Sequence, residues 1–104
     1  MQKLGSQKGS ASPQEKLVEC IDRALAPLGK TFSAILYWQV KMHSGLDKNQ
    51  IPLHPVLFGS ELQRFLGRGH VLVEYMIVKE IVSAFFIDSP CQNLQQAFKI
   101  ALSS

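Results

Sequence analysis

Cysteine is scarce in this chain. Cys20 and Cys91 are the only two in 104 residues, which cannot make a disulfide framework and match no zinc-ligand spacing. His43, His54 and His70 likewise stand apart from one another and from any Cys or carboxylate cluster, so neither a metal nor a cofactor is expected. No Ser-His-Asp or Cys-His motif and no glycine-rich phosphate loop can be assembled, and the chain is not expected to be an enzyme. Charge is also thin, 18% against the usual quarter. The longest apolar run, Val71 to Phe86, is broken by Glu74, Lys79 and Glu80 and is shorter than the ~20 residues a membrane span needs. The first thirteen residues hold no apolar stretch of the secretory kind, so the expected location is cytoplasmic, with no membrane partner.

The net charge is +3, but it is badly placed for a nucleic-acid footprint. Lys3 and Lys8 lie in residues 1–11, a Gly/Ser/Gln/Lys leader expected to be disordered. Taking those two from the eleven basic residues leaves nine against eight acidic ones, a net of +1 for residues 12–104. That stretch has the length of one domain.

What is present is helical periodicity. Ser12-Pro13-Gln14-Glu15 is a capping box with proline at the first helical position. Behind it Leu17, Cys20, Ile21, Ala24, Leu25 and Leu28 form one stripe. A second helix is expected over about Thr31–His43, carrying more apolar surface than one stripe requires. Asp47 to Pro55, with two prolines, reads as an irregular connector pinned by Ile51 and Leu53. A third helix starts near Pro55 and buries Phe58, Leu62, Phe65 and Leu66. The glycine turn Gly67-Arg68-Gly69 hands over to a fourth helix, His70 to Phe86. A second capping box, Ser89-Pro90-Cys91-Gln92, introduces a fifth, with Leu94, Ala97, Phe98 and Ala101 inward. The expected fold is all-α, a compact orthogonal bundle of about five short helices.

Helix four is apolar around more than half its circumference, which suits a central helix or a subunit interface. Glu74 lies inside that apolar arc, where a carboxylate must be paired. His70, one turn earlier, and Arg68 are its candidate partners. Arg68, His70 and Glu74 thus form a candidate polar site, and Tyr37 and Trp38 on helix two a candidate contact pair.

Two resemblances bear on function. Leu28-Gly29, Ala34-Ile35-Leu36-Tyr37-Trp38, Ile51-Pro52-x-x-Pro55, and Phe65-Leu66-Gly67-x-Gly69 leading to Val73-Glu74-x-x-Ile77 resemble the Nitrosopumilus output-domain family, small helical domains of archaea and some bacteria. His70 and Val71 stand where that family tends to have small residues. The resemblance implies an intracellular signal-transduction output module without catalytic chemistry, whose partner is another protein or a second copy. Leu66-Gly67-Arg68-Gly69 followed by an apolar helix is similar to the helix-hairpin-helix, which implies DNA phosphate binding as the alternative. Arg68 replaces the apolar residue of that motif, however, and no Lys or Arg follows in the next turn.

Overall fold

The computed structural model describes residues 12–88, 91 and 93–103. Helix α1 spans Pro13–Leu25 and opens with both halves of the expected box. The Glu15 N–H donates to Ser12 Oγ and the Ser12 N–H to Glu15 Oε1, each at 3.1 Å. Pro27 has no N–H for the Arg23 carbonyl, so the chain tightens to a 3-10 turn at Ala26–Leu28. That tightening breaks the helical phase and leaves Leu28 exposed, contrary to its expected place on the buried stripe.

Helix α2 covers Lys30–Ser44 and stops at Gly45, whose left-handed φ of +70° lets its N–H reach the Lys41 carbonyl at 2.9 Å. The connector holds a regular element after all, a 3-10 helix over Lys48–Leu53. Its start is a capping box written as Asp47-x-x-Gln50, in which the Asp47 N–H donates to Gln50 Oε1 at 2.9 Å. Ile51 and Pro52 are buried there, whereas Leu53 points to solvent and pins nothing.

Helix α3 is Pro55–Leu66, a further 3-10 turn is Gly67–Gly69, and α4 is His70–Ala84. Helix α4 ends two residues earlier than expected, in a Schellman turn. The Ile87 N–H donates to the Val82 carbonyl at 3.0 Å and the Phe86 N–H to Ser83 at 3.4 Å. Phe86 takes the left-handed position usually given to glycine, with φ +53°, and is 86% exposed. Helix α5 spans Leu94–Leu102 behind Asn93, whose Oδ1 accepts the Gln96 N–H at 2.8 Å. Asn93 therefore replaces Ser89 as the cap of this helix, and Cys91 is not helical. Ser89, Pro90 and Gln92 of the expected capping box lie outside the described residues, as does the 1–11 leader.

The protein is an all-α bundle of five helices with no strand among the described residues. Helices α1 and α4 make its most extensive pairing, with α3 and α5 closing the core. Leu17, Ile21 and Leu25 of α1, Phe58 and Leu62 of α3, Ile77 and Ile81 of α4, and Phe98 of α5 are all fully buried. Each such side chain stabilises the fold by about 1.5–3 kcal/mol relative to exposure. Helix α2 sits at the edge, packed chiefly on α3, and buries only Leu36 and Val40.

Candidate interaction faces

The polar pair foreseen on α4 is formed. His70 Nδ1 and Glu74 Oε2 lie 2.7 Å apart, one turn apart on the helix and both mostly buried. Arg68 does not join them: it is exposed on the 3-10 turn and makes no ion pair among the described residues. The first turn of α4, His70-Val71-Leu72-Val73, offers no Lys or Arg beside the glycines. Beside Glu74 is a cleft of about 210 Å³ lined by Val71, Glu74, Tyr75, Val78, Cys91 and Asn93. Three His, Cys, Asp or Glu side chains are nowhere close enough to hold a metal among the described residues.

A deeper carboxylate belongs to α3 and was missed by sequence reasoning. Glu61 is only 6% exposed. Ser44 Oγ donates to its Oε2 at 2.8 Å, His43 Nδ1 stands 3.5 Å from Oε1, and Arg64 Nη1 is 3.9 Å from Oε2. The Ser44 hydroxyl and the His43 imidazole thus address different oxygens of the same carboxylate. It is a clamp between the end of α2 and the middle of α3. The available signal was spacing: Glu61 follows Phe58 by three residues and precedes Leu62, on the buried face.

Tyr37 and Trp38, paired in the sequence reading, separate in the structure because successive helical residues diverge by 100°. Tyr37 turns inward. Its hydroxyl donates to Asp22 Oδ1 at 2.7 Å, and Lys48 Nζ lies 2.9 Å from Asp22 Oδ2 and 4.8 Å from the Tyr37 ring centre. Burial, then the bond to Asp22 and that residue's charge, push the phenol far above its ordinary pKa. Tyr37 is a partly buried structural pin between α2 and α1. Cys20 is similarly withdrawn: burial pushes its thiol up, and the sulfur lies 3.9 Å from the Glu80 carbonyl.

Trp38 does face solvent. With Ile35 and Met42 it forms a stripe at i, i+3, i+7 along the outer side of α2, the three residues being 43–62% exposed. A second apolar shoulder occurs on the first half of α4, where Val71, Leu72 and Tyr75 are each about 60% exposed. Ile77 and Ile81, on the opposite side of the same helix, are completely covered. Helix α4 is thus both central and, at its start, a surface. No helix among the described residues is long and apolar enough to cross a membrane.

Compared with protein-family models, curated proteins and solved structures, the chain matches none.

Proposed function

We propose that this chain is a non-enzymatic, cytoplasmic helical interaction domain that acts as a signal-transduction output module and self-associates through the α4 shoulder. One observation carries the reading: Val71, Leu72 and Tyr75 lie within one turn of each other on a helix whose other face is core, and all three remain uncovered. Single exposed apolar residues are ordinary, but clustered large ones mark interaction sites. A nearly neutral domain, net +1 outside the leader, puts little charge repulsion in the way of two copies meeting. Symmetric homodimers use one patch twice, which suits a single shoulder. The resemblance to the Nitrosopumilus output-domain family supports the output role.

Light scattering of the full chain across a range of concentrations tests this. The expected result is a dimer mass that falls to the monomer on dilution and in the Leu72→Glu variant, with helicity unchanged. A monomer at every concentration overturns self-association.

A further inference from the structure

We propose that the outer stripe of α2 is the docking face for an acidic amphipathic helix of a different protein. The inference rests on the reading of this chain as an interaction domain, but it uses a face separate from the α4 shoulder.

The shape comes first. At 100° per residue, Ile35, Trp38 and Met42 fall within an arc of about 60°, and their seven-residue span is about 10 Å long. That is a narrow seam of the kind one helix presents to another. The opposite side of α2 is already occupied by the bundle through Leu36 and Val40, so the seam has no internal partner to find. Helix α2 is the edge element, and nothing in the described chain covers it.

Charge then selects the occupant. Helix α2, KTFSAILYWQVKMHS, contains no Asp or Glu in fifteen residues. Placed around the helix, Lys30 and Lys41 lie together on one margin of the stripe, while Gln39 and His43 lie on the other. Lys41 holds Asp47 at 2.6 Å, but both side chains are at least half exposed, and such a pair exchanges easily. Lys30 has no ion-pair partner among the described residues. It stands in a first turn with no acidic residue, behind Gly29, which supplies no side-chain cap. The uncapped N–H groups there carry the positive end of the helix dipole. A carboxylate arriving along this margin meets Lys30 and the helix terminus together.

Neither helix α2 of a second copy nor the segment ahead of Ser12 supplies that carboxylate. Antiparallel pairing of α2 with a second copy sets Lys30 beside Lys41, and parallel pairing sets the lysine margin against Gln39 and His43. The residues ahead of Ser12 bring Lys3 and Lys8 and no acid. An anionic bilayer is met best by a broad apolar face with cations on both margins; here they lie on one.

Trp38 is the only tryptophan in the chain, so its emission reports directly on the stripe. Two synthetic helical peptides serve as probes. Both carry leucines at i, i+4 and i+7, one flanked by glutamates and the other by lysines. The full chain is expected to bind the glutamate peptide at least tenfold more tightly, with a saturable blue shift of Trp38 that weakens in high salt. Lys30→Glu should erase that preference; it puts an acid at a helix N-terminus, where it favours folding. Leu72→Glu should leave binding unchanged. A failure of dimerisation alone therefore sinks the α4 reading, and a failure of peptide preference alone sinks this one. Equal affinity for the two peptides overturns the proposal. So does a blue shift from protein concentration alone, or one produced by phosphatidylserine vesicles and not by the glutamate peptide.

Discussion

Ser44 and Glu61 meet between the last residue of α2 and the middle of α3, hydroxyl to carboxylate at 2.8 Å. The carboxylate is buried, and its other neighbours, His43 and Arg64, stand at 3.5 and 3.9 Å. The short Ser44 bond is therefore its best-made interaction. Ser44→Ala is expected to cost about 1–3 kcal/mol, the penalty for leaving a buried acceptor short of a partner. Glu61→Ala should cost more, because it also strips packing from beside Phe58 and Leu62. Urea denaturation reads both; a loss under about 0.5 kcal/mol in each would mean that the clamp does not hold α2 in place.

Phe86 gives a prediction of opposite sign. A bulky residue in the left-handed region costs about 1–2 kcal/mol, and at 86% exposure its ring returns almost no packing. Phe86→Gly is expected to stabilise the domain by about 0.5–1 kcal/mol in the same urea measurement, after allowing for the greater freedom of glycine when unfolded. Destabilisation would show that the ring is covered in solution.

Two substitutions on α4 separate its faces. Ile81→Ala removes a fully buried side chain and should cost about 2–5 kcal/mol. Leu72→Glu, on the shoulder, should leave far-ultraviolet circular dichroism and the urea midpoint nearly unchanged while abolishing the proposed dimer. Unfolding by Leu72→Glu would place that residue in the core.

Tyr37 sets a limit on the alkaline side. Its phenol is raised in the folded state, so its contribution is complete below the unfolded value near 10 and is lost as pH rises from there toward the folded value. Tyr37→Phe should lower neutral-pH stability by about 0.5–1.5 kcal/mol and make the decline above pH ~10 shallower than in the parent. Parallel curves for the two proteins would refute the assignment.

Much of this architecture could be read from residue order because the signals were local. Ser12 and Glu15 and the inward faces of α1 and α5 follow from spacing alone. Asp47-x-x-Gln50 was equally local, but two prolines nearby argued for a loop, and a 3-10 turn tolerates Pro52 where an α-helix would not. The candidate sites were harder because they depend on which helix covers which. Glu74 was visible as a charge in an apolar arc, while Glu61 looked ordinary until α2 was laid against it. Which of Tyr37 and Trp38 faces solvent could be told only once the docked side of α2 was known. The surplus of apolar residues on α2 was evident in the sequence; that the surplus faces outward follows from its place at the edge.

That edge position has a kinetic corollary. Helix α2 is fastened by two fully buried aliphatic side chains, by half-buried Phe32 against the Phe65 ring, and by two polar clamps, Tyr37 to Asp22 and Ser44 to Glu61, whereas α1 and α4 share the apolar centre of the bundle. Elements with little buried apolar area open first and independently. The amides of α2 should therefore exchange with solvent deuterium ahead of those in α1 and α4, through an opening that leaves the rest of the bundle closed. A ligand seated on its outer stripe would slow that exchange in α2 before changing it anywhere else.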